Sequence, residues 1–222
     1  MPASTLLLGF VLQIAFPDGH RPLSNREARS VRALWDAGCE VHALDGDARD
    51  AIARAAQRVS GALADETVLR LIAEKQDWVV ENADGSWSTT ALANAPVEEL
   101  ARASRVAVMS YGRGEGSPCG EPFGADAMNA FTNIGEPVVF FWEPYLARLA
   151  ARGEVGTREL ARTLVHELTH TLGHTHHDGE AALGSSGYAN TVPVYLGCLI
   201  ERWPDEGAMG RCGRSFEVVG GR

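Results

Sequence analysis

Positive charge is scarce in this 222-residue chain: 20 lysines and arginines stand against 29 aspartates and glutamates, for a net charge of −9. With no basic stripe, nucleic-acid binding would have to work against the overall field, and none is expected. Long apolar runs are missing too. The first run, Leu6 to Phe16 (LLLGFVLQIAF), has eleven residues, too few to cross a bilayer, so no transmembrane segment is expected. As a signal-peptide core it lacks a preceding basic residue, and Pro17-Asp18-Gly19 follows in place of a small-x-small cleavage site. A buried strand accounts for it better, and a cytoplasmic and a secreted location both stay open. Cysteine is sparse. Cys39, Cys119, Cys198 and Cys212 form no C-x-x-C pair, which argues against a second zinc site of the ribbon type. Cys198 and Cys212 lie fourteen apart in a short segment that a bridge would help hold together, given an oxidising compartment. No internal repeat, heptad run or phosphate-binding glycine loop offers another function.

Histidine is where the chain is rich. Five of its seven histidines fall within the thirteen residues from His166 to Asp178, and imidazole is a ligand that zinc favours. On an α-helix, residues four apart share a face, so His166 and His170 can aim two rings at one ion. Glu167 then stands beside the metal as a base for a bound water and not as a ligand. Gly173 can take the left-handed conformation that ends a helix, and the turn it makes can return His176 as third ligand. Three protein ligands with an open position make a catalytic site, whereas four make a structural one. His174 and His177 would have to displace His176 and stay off the ligand set. Asp178 could orient an imidazole, and solvated loop positions account for His174 and His177 at least as well. Leu160, Leu164, Leu168 and Leu172 step by four along the helix. Leu164 and Leu168 sit about 200° round from His166, so one side anchors and the other binds.

The string from His166 to His176, H-E-x-x-H-x-x-G-x-x-H, resembles the zinc motif of the metzincin metallopeptidases. The resemblance implies Zn2+ held by His166, His170 and His176, with Glu167 as general base and acid and Gly173 as hinge. It implies a zinc endopeptidase, a hydrolase acting on peptide or protein substrates. It also implies a methionine in a tight turn beneath the metal. Met209, in Glu206-Gly207-Ala208-Met209-Gly210, is the only methionine after the motif and the candidate for that turn, with plain core filling as the alternative. Tyr188 or Tyr195 could donate to an oxyanion. The chain departs from the family in its ending: thirteen residues follow Met209, too few for the long C-terminal helix many metzincins carry, and none is a tyrosine.

Upstream, Cys119-Gly120-Glu121-Pro122 is similar to the cysteine switch of matrix metallopeptidases. Its place after several strands favours a turn cysteine or a disulfide partner instead. Two rival readings of the metal motif are a gluzincin-type site with a downstream ligand such as Glu201, and a zinc-stabilised binding module that hydrolyses nothing. Glu167 argues against the second, since a structural site needs no base.

The rest of the pattern is α+β. Helices are expected from Ser24 to Ala37, with Ala28, Val31, Leu34 and Trp35 facing a sheet; from Asp47 to Val59 and Asp65 to Gln76, separated by Ser60-Gly61; from Pro96 to Ala103; from Pro144 to Ala151; and over the metal motif, capped by Thr157. Cys39 to Leu44 is expected to close a β-α-β unit with the first run, and His42 within it to be an exposed or core histidine. Trp78 to Thr90 reads as a hairpin around Ala83-Asp84-Gly85, and Arg105 to Met109 as a strand. Ser110 to Pro137 reads as a long loop of the functional kind. Val138 to Trp142 (VVFFW) is either the rim strand that pairs with an extended substrate or a buried central strand. The metzincin resemblance implies a mixed twisted sheet with helices in a large N-terminal subdomain, residues 1–173. A small irregular C-terminal subdomain, residues 174–222, would contain the run Thr191 to Ile200, with the zinc cleft between the two.

Overall fold

Ser24 opens helix α1 (Asn25–Asp36) with a reciprocal cap: its hydroxyl accepts from the Glu27 amide while the Glu27 carboxylate accepts from the Ser24 amide. The computed structural model describes residues 14–15, 23–102, 106–113, 119, 129–176 and 187–213. Most of the run from Leu6 to Phe16 therefore lies outside the described residues; its Ile14–Ala15 pair forms strand β1. Val31 and Leu34 of α1 are buried as expected, but Glu27 and Ser30 complete that side, while Ala28 and Trp35 face solvent. The 3.6-residue period sets the buried face and leaves the Trp35 indole outside it.

Gly38, at φ 77°, turns the chain into β2 (Cys39–Ala43). Helix α2 (Gly46–Leu63) runs straight through Ser60-Gly61, where a break was expected. A Cβ on Gly61 would stand 3.3 Å from the Trp203 ring, so this glycine serves close packing and not termination. The break comes at Asp65, whose carboxylate accepts from the Thr67 and Val68 amides and starts α3 (Glu66–Glu74). The hairpin forms as β3 (Trp78–Glu81) against β4 (Trp87–Thr90), and α4 (Ala95–Arg102) follows.

β5 (Val106–Arg113) runs past the expected end at Met109 and is the spine of a small mixed sheet. The other members are β6 (Ala130–Phe131) and β7 (Val138–Trp142), in the order β1-β5-β7-β6 with β2 also on β5. β7 is parallel to β5 along one edge. The other edge is shared, with β1 parallel at Val106-Ala107 and β2 antiparallel from Met109 to Arg113. The expected β-α-β unit is therefore not a parallel crossover: two short strands lie end to end along an eight-residue partner, running in opposite directions.

Side chains alternate across this sheet. Val106, Val108, Val139 and Phe141 enter the large core. Ala107, Met109, Tyr111, Val138 and Phe140 enter a smaller one, with Val31, Leu34 and the disulfide Cys39–Cys119. VVFFW is thus paired on both edges and buried on both faces, which is why it shows no polar alternation.

Helix α5 (Glu143–Ala150) leads to Gly153, whose φ of 56° lets the chain double back at once into α6 (Gly153–Thr171). Thr157 is therefore inside α6 and not at its cap, with its hydroxyl on the Gly153 carbonyl at 3.1 Å. Leu160, Leu164 and Leu168 are fully buried, and Leu172 packs at the edge of the same core.

The run from Thr191 to Ile200 becomes helix α7 (Val192–Arg202), laid along α6 so that Pro193 lies beside His166 and Glu201 beside Arg162. After α7 a short helix, α8 (Glu206–Met209), is capped by Asp205, and Cys198 is bonded to Cys212. Val192, Leu196 and Leu199, spaced by four and three, join the core of α2 and α6, so residues 187–213 share that core where an irregular lobe was expected. No helix among the described residues is long and apolar enough to cross a membrane.

Candidate functional site

The last two turns of α6 carry His166, Glu167 and His170, and the chain then reverses at Gly173. That residue has φ 98°, in the region where a side chain is strained, and its amide donates to the His170 carbonyl at 3.0 Å. The reversal returns His176 to the helix: its Nε2 lies 2.9 Å from Nε2 of His166, and one ring nitrogen from each of His166, His170 and His176 falls within 4.8 Å of the others. All three rings stand with centroids 4.8 to 4.9 Å apart and mutually tilted, so they face one point instead of stacking. Among the described residues this is the one cluster of metal-ligating type with such spacing.

The donors suit a divalent ion. His170 Nδ1 sits 2.6 Å from the carbonyl oxygen of His174; a carbonyl can only accept, so Nδ1 carries the proton and Nε2 keeps its lone pair. Burial, then the neighbouring His170 and His176, hold the His166 imidazolium well below its ordinary pKa, which keeps that ring neutral as well.

Glu167 is 7% exposed, and its Oε2 has no hydrogen-bond partner. Burial pushes its carboxyl up to about 8, with the nearby Thr132 hydroxyl opposing, although that hydroxyl too lacks a partner in bonding geometry. Tyr111, buried in the smaller core, is raised to about 12 by desolvation first and by the Glu167 charge second. A buried carboxylate oxygen without a partner, in the same cavity as three imidazoles, is an unsatisfied arrangement, and a cation at the focus of the rings would satisfy it.

A cavity of about 370 Å³ opens over this focus. It is bounded by Asn129 to Thr132 on one side, by Glu159, Arg162 and Thr163 of α6, and by Tyr188. Tyr188 meets the His176 ring edge-on at 5.1 Å. Tyr195, the other tyrosine singled out in the sequence, is buried elsewhere, edge-on to Trp78 and under the Lys75 ammonium at 4.5 Å. A larger hollow of about 680 Å³ lies on another face, beside an exposed His42 whose Nδ1 is 2.6 Å from Glu143. It lacks the convergent donor set, and volume alone selects no chemistry.

Other candidates separate from the triad. Glu201 pairs with Arg162 at 3.5 Å near the far end of α7 and does not join the histidines. Met209 ends the short α8 and is buried in the large core beside α7; it occupies a helix and not a glycine turn, and does not line the cavity. Cys119 is bonded to Cys39, so no thiol there is free to reach a metal. His174 is committed through Nε2 to Glu99 at 2.8 Å. His177 and Asp178 lie outside the described residues.

What the motif did not reveal is the wall of the cavity. β6 and Thr132 fall in a stretch without periodicity, and Glu99 lies 75 residues upstream of the histidine it holds.

No family model, no curated protein and no solved structure matches this chain.

Proposed function

We propose that this protein is a zinc-dependent endopeptidase of the metzincin type. The observation that carries the reading is the convergence of His166, His170 and His176 beside a buried, unpartnered Glu167 at the floor of an open cavity. Three convergent imidazoles match a catalytic zinc site, and the glutamate beside them matches a base that is not a ligand. When bound, zinc supplies the Lewis acidity that polarises a scissile carbonyl and makes water acidic near neutral pH.

The protein's own residues do the rest. Glu167 takes the proton of the attacking water, holds it, and returns it to the departing amine. A dication nearby would draw its carboxyl down from about 8 toward the ionised form this role requires. β6, an edge strand of the sheet, borders the cavity, so an extended peptide can lie against it by main-chain hydrogen bonds. Tyr188, which lines the same cavity against the His176 ring, would donate to charge developing on the carbonyl oxygen. The gluzincin alternative loses its named ligand to Arg162. A purely structural site is disfavoured because the described cluster offers three ligands and not four.

The test is Glu167→Gln. The variant should still bind about one zinc per chain while its chelator-sensitive peptide cleavage falls by at least about 100-fold, the scale of lost general-base catalysis. Retained cleavage would remove Glu167 from this role.

A further inference from the structure

We propose that Glu99, on α4, is a positioning residue for the metal centre; the proposal rests on the zinc-site reading above. Its carboxylate lies 2.8 Å from His174 Nε2, and the carbonyl oxygen of that same His174 takes the Nδ1 proton of His170 at 2.6 Å. The chain of contacts therefore runs from α4 through a loop residue to a ligand ring.

Two features make the contact more than incidental. His174 follows Gly173 in the reversal that separates ligand His170 from ligand His176, so whatever fixes residue 174 fixes the path to 176. That path is short, unsupported by helix or strand, and tied at its next residue as well, where the Thr175 hydroxyl donates to Glu81. The His174 side chain is 21% exposed and its ring reaches Glu99. Its carbonyl, on the same residue, points to His170. With the ring anchored, the carbonyl holds the Nδ1-protonated tautomer of His170, whose ligating lone pair is then the one on Nε2. Without the anchor, the loop can turn, and both the tautomer and the return of His176 lose their support.

The readout is the rate at which zinc leaves the loaded protein, followed by transfer to a chromogenic chelator, with thermal melting of the metal-free protein as control. Glu99→Ala and His174→Ala should each release zinc about 10-fold faster. The double variant should release it no faster than either single one, because one chain of contacts is cut in both cases. Glu99→Gln, which keeps an acceptor oxygen, should stay near the wild-type rate, and all variants should melt with the wild type when metal-free. Wild-type release from Glu99→Ala, additive rates in the double variant, or a fall in metal-free melting that accounts for the loss would overturn the proposal while leaving the zinc site intact. A wild-type protein that takes up no zinc would instead bring down the functional reading.

Discussion

His166 and Glu167 are neighbours on one helix, and burial acts on them in opposite senses: it lowers the histidine and raises the glutamate, so that both are held uncharged in the metal-free fold. This gives a stability signature. A carboxyl whose folded pKa of about 8 exceeds its unfolded value binds an extra proton in the native state, a contribution full at low pH and lost as pH rises toward 8. His166 works the other way, costing stability only as pH falls below its unfolded value near 6.5. Above that value Glu167 is the larger of the two contributions. The metal-free protein should therefore lose about 1.5 kcal/mol between pH 6.5 and 8, measured by urea unfolding in chelator. Glu167→Gln should flatten the slope; an unchanged slope would place the acid elsewhere.

At the scale of elements, helix α6 was legible because its signal is local: histidines at four-residue spacing, a glycine stop and a leucine stripe all act within one segment. The ends of other helices were less so, because distant residues decide them. α2 continues through Gly61 because the Trp203 ring needs the space, and α6 begins before Thr157 because Gly153 permits a sharp reversal. The C-terminal end of α7 is likewise sealed from afar. Arg58, on α2 and 9% exposed, donates to the carbonyls of Ile200, Glu201 and Trp203, and its guanidinium lies 5.3 Å from the Trp203 ring centre. These are carbonyls that a helix end leaves without intrahelical partners. Arg58→Met should cost about 3 kcal/mol in urea unfolding, since buried acceptors would be stranded, without changing zinc content. A loss below about 1 kcal/mol would mean that water replaces the guanidinium.

For the whole molecule, the sequence revealed the α+β class and most of the strands, but not β6 and not the pairing. Periodicity in Val138 to Trp142 could not choose between rim and centre, and only the partners on both edges place β6 at the cavity instead. The apolar run after the motif was visible, yet its docking on α6 depends on residues such as Leu160 and Leu164 some thirty positions earlier. Two disulfides, spanning 80 and 14 residues, pair all four cysteines, which is the chemistry of an oxidising compartment. Within this framework one loop histidine returns to two helical ones. Zinc K-edge X-ray absorption on the stoichiometrically loaded protein tests that convergence directly. It should show three imidazole nitrogens at about 2.0 to 2.1 Å with one or two light oxygen ligands, and lose one imidazole in His176→Ala. Four protein ligands with no oxygen from solvent, or a spectrum unchanged by His176→Ala, would contradict the account.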